Sequence, residues 1–287
     1  MLCVEPTATT LGRLTPLADH VELVRGSVAD PDRIRDLVAA SQPDCIVNLA
    51  FFAGGTIAEE MDVMARGTWN TLEAARLGGC KRVAMASSVR VYGPQRVHGD
   101  DTWLNEGSPC KPSLRYGVAK LLGEQLTADY RRKHGLEAAA LRLPMVYGPG
   151  VREGAYGVNV PAVAAATGVA ATLPYDIEAR FRLAHVGEVA STLPDLLDTP
   201  VEPPRASVYE LGCHNTTYLE MVEAATVAAG SEVPVVFEPD GRGNEHDFAY
   251  LLDSTRVVEE YGVRHRSLVD GYRTVIEHLE SGARSAR

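Results

Sequence analysis

Short apolar runs alternate along the chain with longer stretches whose apolar residues recur at helical spacing. Val21–Arg25 (VELVR) predicts a strand. Positions 31–40 follow with a 3.6-residue period, opened by Asp30 as N-cap and Pro31 at the first helical position. Cys45–Ala50 (CIVNLA) is almost unbroken in apolar character and predicts a strand buried on both faces of a parallel sheet. Thr56–Leu77 predicts one long helix stopped by Gly78-Gly79, and Lys81–Ala86 another buried strand. A loop rich in Gly and Pro leads to a strong helix over Tyr116–His134, ended by Gly135, and then to a strand at Ala138–Leu143. This β-α-β-α order predicts a parallel, doubly wound α/β sheet.

After Pro149 the pattern loosens, and Pro200–Pro204 (PVEPP) predicts a connector. Helices are expected at Tyr218–Ala229, Ser254–Tyr261 and Leu268–Glu280, with short strands at Val208–Leu211 and Val233–Phe237. The expected organisation is a dinucleotide-binding domain over residues 1–150 and a smaller, partly interleaved substrate lobe over 151–287.

The 287 residues carry 38 acids against 28 bases, a net charge of -10, which argues against a nucleic-acid partner. No apolar run reaches the ~20 residues of a membrane span, and no signal peptide is visible. The five cysteines are widely spaced without a CxxC pair, so they predict free thiols in a reducing cytoplasm. The eight histidines show no ligand spacing, so no metal is expected.

Chemistry concentrates in three stretches. Tyr116 and Lys120 sit four apart in RYGVAK, on one helix face. A lysine charge ~4 Å from a phenol contributes up to ~4 kcal/mol at an effective dielectric of 20, enough to lower the phenol pKa by a unit or two. Such a pair can move a proton on or off a substrate hydroxyl. Residues 86–93 read ASSVRVYG directly after a buried strand, where open α/β sheets bind ligands. Residues 141–150 read LRLPMVYGPG after the next strand.

In that order the three stretches resemble the extended short-chain dehydrogenase/reductase family, the group of NAD-dependent epimerases and dehydratases. The likeness continues through VRGSVADPD (24–32), NLAFFAG (48–54), RGTWNTLEAARLGGCKRVAMASS (66–88), LAHVGEVAS (183–191) and LDSTRVVEEYGVRHRSLVDGYRTVI (252–276). The resemblance implies a Rossmann-like fold and hydride transfer with NAD. Tyr116 would be the acid/base, Lys120 would depress its pKa and bind the nicotinamide ribose, and Ser88 would hold the substrate oxygen. It implies further cofactor contacts at Glu5, Ser27, Val28, Leu49, Ala50, Phe51 and Pro144, with Glu5 favouring NAD over NADP. Arg90 and Met145 would line the substrate site. Among the other residues, Arg180, Arg182 and Arg242 are candidates to bind an anionic substrate, with solvated surface arginines as the other reading, and His185 is a candidate pocket residue, with a buried structural histidine as the other reading. The substrate would be carbohydrate-like, and the protein a homodimer paired through its two long helices.

The sequence departs from the family's pattern in several places. No GxxGxxG turn precedes Val21, and the chain begins as if at the family's second strand, Leu2–Val4. We expect the opening strand, turn and helix, about 30 residues, to belong to sequence upstream of Met1, and the chain without it to hold NAD weakly. Ser27 replaces an adenine-contacting Asp, and Met64 the Asn of an NVxGT stretch. Met145 replaces an Asn that contacts sugar-nucleotide phosphate, which argues against a nucleotide sugar. Val89-Arg90 stands where dehydratases carry Asp-Glu, which argues against dehydration. The expected activity is therefore that of a sugar or polyol epimerase or dehydrogenase. A carbonyl reductase using the same three residues, and a cofactor-less binding protein, are the alternatives.

Overall fold

The computed structural model describes residues 2–3, 17, 19–52, 54–151, 157–198, 206–212, 214–239 and 250–285. Their element order begins with β1 (Leu2–Cys3), β2 (Val24–Arg25), α1 (Pro31–Ser41) and β3 (Cys45–Asn48). Then come α2 (Ile57–Met61), a π-helical turn (Asp62–Arg66), α3 (Gly67–Leu77), β4 (Arg82–Ser88), β5 (Trp103–Leu104), α4 (Arg115–His134), β6 (Glu137–Leu143) and β7 (Met145–Tyr147). The remainder is α5 (Val160–Thr167), β8 (Ala171–Leu173), β9 (Arg180–His185), α6 (Val186–Asp198), β10 (Val208–Glu210), β11 (His214–Thr217), α7 (Tyr218–Ala229), β12 (Val235–Phe237), β13 (Leu251–Leu252), α8 (Thr255–Tyr261) and α9 (Leu268–Ser285).

These residues form two compact units, each built from three separated stretches of chain. The first comprises Met1–Ser87, Arg115–Leu141 and Val201–Val208; the second comprises Ser88–Leu114, Arg142–Pro200 and Tyr209–Arg287. A four-stranded sheet runs in the order β10-β6-β4-β3, and β3 pairs parallel to β4 with Cys45 opposite Arg82 and Asn48 opposite Met85. Leu72, Ala75, Val83, Met85, Tyr130 and Ala138 form a core in the first unit, with Ile34, Val38 and Ala74 packing α1 against α3. This is the expected doubly wound α/β arrangement.

Local signals set the helix ends. The Asp30 side chain accepts from the Arg33 amide, which caps α1 ahead of Pro31. Thr56 and Glu59 form a reciprocal capping box that starts α2. The expected single helix over 56–77 is interrupted, because the chain widens to a π turn at Asp62–Arg66. There the Gly67 amide donates to Asp62 O, five residues back. Gly67 lies against the turn after β2: a Cβ on it would come within 2.5 Å of Val28 Cγ2.

The expectation for Cys45–Ala50 needs a correction. The strand ends at Asn48, and Val47 is 41% exposed. Among the described residues β3 pairs only with β4, and the face that carries Val47 is partly open.

In the second unit, β11-β9-β7 form one sheet, and α5, α7 and α9 pack together around Tyr147, Phe181, Tyr218, Met221 and Tyr272. Among the described residues no helix is long and apolar enough to cross a membrane.

Candidate active site

Strands β3 and β4 run parallel, so their C-terminal ends lie on one side of the first unit. β4 ends on Ala86, Ser87 and Ser88. Helix α4 begins at Arg115, which places Tyr116 in its first turn and Lys120 one turn on. Lys120 is 8% exposed, and its Nζ donates to Ala86 O at 2.8 Å. Burial brings its pKa down from 10.5 to about 8. The ammonium lies 5.8 Å from the centre of the Tyr116 ring. The spacing of four thus brings the pair together as expected, with lysine and strand end joined by a direct hydrogen bond.

Glu124, one turn beyond Lys120, continues the same helix face. It is 2% exposed and accepts from the Ser87 hydroxyl. Sequence reasoning missed it, although positions 116, 120 and 124 carry the i, i+4 signal that identified the other two. Lys120 and Glu124 together tie α4 to the last turn of β4.

At the end of β3, Asn48 is buried. It donates to Thr71 Oγ1 at 3.0 Å and accepts from the Ala50 amide at 2.8 Å, which fixes the chain as it leaves the strand. Beyond it Leu49 and Phe51 are exposed, and the Phe51 ring meets the edge of Tyr116 at 5.5 Å. The turn after β2 is fixed through Ser27 Oγ, which accepts from the Ala29 amide, and Val28 O, which accepts from Asn70 Nδ2. Exposed apolar side chains at a strand's C-terminal end, beside a buried ammonium, fit the adenine and nicotinamide ribose halves of a dinucleotide.

The second unit holds the other expected residues. Ser88 is 6% exposed and caps the short 3-10 helix Val89–Tyr92, its Oγ accepting from the Arg90 amide at 3.3 Å. Pro144 is buried between β6 and β7, Met145 opens β7 and packs against the aromatic core, and Arg180 is exposed at the start of β9. His185 is 3% exposed. Its Nε2 is 3.0 Å from Thr274 Oγ1, its Nδ1 accepts from the Gly187 amide, and burial with the nearby Arg266 charge lowers its pKa to about 4. Both ring nitrogens are thus used within the fold. Glu5 and Arg242 lie outside the described residues.

Among relatives, dTDP-glucose 4,6-dehydratase of Streptomyces niveus is 29% identical over 279 residues, 92% of this chain and 78% of that protein. D-erythronate dehydrogenase of Cupriavidus necator is 34% identical over 134 residues, covering 44% of this chain and 39% of its own. The structure of Thermus thermophilus UDP-glucose 4-epimerase in complex with NAD superposes with a TM-score of 0.73 at 23% identity, over 91% of this chain and 85% of that one. The sequence model of the NAD dependent epimerase/dehydratase family matches residues 5–212, and with the fold described above it identifies the chain as an enzyme of that NAD-dependent family.

Proposed function

We propose that the protein is an NAD-dependent oxidoreductase or epimerase that acts on a secondary hydroxyl of a sugar or polyol, with Ser88, Tyr116 and Lys120 as its reacting and positioning groups. The observation that carries this reading is the placement of Lys120. Its ammonium is buried, anchored on Ala86 O two residues before Ser88, and one helical turn from Tyr116.

NAD, when bound, supplies the hydride acceptor. Lys120, Tyr116 and the Leu49–Phe51 segment would hold it on the first unit. The Tyr116 phenolate takes the proton from the substrate hydroxyl, and the phenol so formed returns it in the reverse direction. Lys120 remains charged below about pH 8, and its ammonium, 5.8 Å from the centre of the Tyr116 ring, favours the phenolate electrostatically. Ser88 Oγ orients the reacting oxygen. Val89 and Arg90 supply no carboxylate pair, which argues against dehydration. Two relatives, the dTDP-glucose dehydratase and the D-erythronate dehydrogenase, are named for carbohydrate-type compounds. Met145 in place of an asparagine favours a free sugar or sugar acid over a nucleotide sugar.

The decisive test is a screen of aldonates, uronates, free sugars and nucleotide sugars, read as NADH absorbance and as epimer ratio by NMR. Turnover of one class, lost in Tyr116→Phe, is the expected outcome. Turnover that survives in Tyr116→Phe would overturn the reading.

A further inference from the structure

Helix Val89–Tyr92 and the loop around Cys110–Pro112 lie against each other in the second unit. The Lys111 amide donates to Tyr92 O at 3.3 Å, and a Cβ on Gly93 would fall 1.9 Å from Lys111 O. A buried polar chain ties the same two segments to the ends of β6 and β10. Arg142 Nη1 donates to Tyr92 Oη at 2.9 Å, and its Nη2 donates to Cys110 Sγ at 3.3 Å. Tyr92 Oη in turn donates to Glu210 Oε2 at 3.0 Å. Tyr92 and Glu210 are fully buried, and Arg142 is 3% exposed. The four residues span positions 92 to 210. Along the chain, Ser88 is four residues before Tyr92, and Tyr116 six residues after Cys110.

We propose that Glu210 is a positioning residue: uncharged, it closes a brace through Tyr92 and Arg142 to Cys110 that holds the segments flanking Ser88 and Tyr116, and on ionising it releases that brace.

The second carboxyl oxygen carries the argument. Glu210 Oε1 is buried and has no hydrogen-bond partner among the described residues. A carboxylate there would place a full charge on an oxygen that no donor faces. The Arg142 and Arg182 charges and the Tyr92 hydrogen bond favour ionisation, but none of them puts a donor on Oε1. Arg142 is already turned to Tyr92 and Cys110, and Arg182 Nη2 donates to Leu252 O. Glu106, whose Oε1 accepts from the Glu210 amide and whose Oε2 lies 3.9 Å from Arg256, adds a like charge. Burial accordingly holds the Glu210 carboxyl at about 8 against the pull of Arg142 and Arg182. Ionisation therefore requires water or a displaced donor at Oε1, and the brace must open to admit either.

The purpose of the brace rests on the proposed roles of Ser88 and Tyr116; its existence does not, and its test uses no substrate. Cys110, partly exposed at the far end, is the reporter. Wild type and Glu210→Gln, which keeps the acceptor for Tyr92 and cannot ionise, are alkylated with iodoacetamide between pH 6 and 9, with peptide mapping at Cys110. Taking the ratio of the two rates at each pH cancels the thiol's own ionisation. The expected ratio is near one at pH 6 and at least fivefold in favour of wild type at pH 9. Tyr92→Phe, which cuts the brace, should label several-fold faster than wild type already at pH 6. Melting temperatures give a second measure. The unfolded carboxyl ionises near 4.5 and the folded one near 8, so wild type should lose stability relative to Glu210→Gln as pH rises through that window. A flat labelling ratio, or parallel melting curves, would overturn the proposal. So would wild-type labelling of a folded Tyr92→Phe protein; if that variant does not fold, the Glu210→Gln comparison decides alone.

Discussion

The Ser87 hydroxyl donates to the buried Glu124 carboxyl, 2.5 Å away, and so joins the end of β4 to the face of α4 that carries Lys120. Removing one partner of a buried hydrogen bond leaves the other unsatisfied at a cost of about 1–3 kcal/mol. Ser87→Ala should therefore lower unfolding free energy by about that amount in urea titrations. A loss below about 0.5 kcal/mol, the range of ordinary surface changes, would mean that the contact carries no weight.

Tyr116→Phe should leave the fold intact, since the ring keeps its edge contact with Phe51. Turnover should fall at least ~100-fold, the lower end of what a positioned acid/base contributes, while the apparent affinity for NAD changes little. A drop smaller than tenfold would remove Tyr116 from the reaction.

The depressed pKa of Lys120 has a definite sign in stability. The folded protein gives up this proton near 8 and the unfolded chain near 10.5. Below pH 8 the buried charge therefore costs about 3 kcal/mol at ~1.4 kcal/mol per pKa unit. That cost fades as pH rises toward 10.5. Lys120→Met should lose turnover, yet the melting temperature of wild type relative to the variant should climb between pH 8 and 10. A constant difference would show that the lysine is not penalised by burial.

Gly93→Ala should be among the most damaging single substitutions. Gly93 has φ +74°, and its added methyl would meet a backbone carbonyl that has no freedom to turn away. We expect a loss of more than about 3 kcal/mol, or no soluble protein. Wild-type stability would mean that the two loops are not held at this distance.

In the first unit α3 and α4 pack side by side and expose Trp69, Val118 and Leu122. Val118 and Leu122 form an i, i+4 apolar pair on α4. We propose that this surface pairs two copies of the chain. Sedimentation should show a dimer at micromolar concentration, and Val118→Glu with Leu122→Glu should convert it to monomer. A wild-type monomer would exclude the pairing.

Much of this arrangement was legible where the cause is local. Asp30 with Pro31 marked the start of α1, and helix α7 occupies Tyr218–Ala229 as the period predicts, started by a capping box between Thr217 and Glu220. The spacing of Tyr116 and Lys120 gave their shared face. Other features had no local mark. Helix α6 continues through Pro194, and α5 is only eight residues long with Pro161 in its first turn. The short strands β7 and β9 depend on each other, with Met145 opposite Leu183, so neither reads as a strand alone. Tyr92 bonds to Arg142 across 50 positions and to Glu210 across 118, distances over which no periodicity operates. The π turn at Asp62–Arg66 likewise leaves the hydrophobic pattern of a plain helix.

The division of the chain into units has a consequence for synthesis. The polypeptide passes from one unit to the other five times, after residues 87, 114, 141, 200 and 208. The last stretch of the first unit, Val201–Val208, is made only after most of the second unit's second stretch has emerged. At translation rates of about 5–20 residues per second, the first unit therefore waits several seconds for its final piece while unfinished apolar surface of both units is exposed. Neither half can complete its burial on the ribosome before the other has begun. Slowed translation between residues 141 and 200 should thus raise the yield of aggregated chain, whereas the same pause after residue 208 falls when the first unit is already whole.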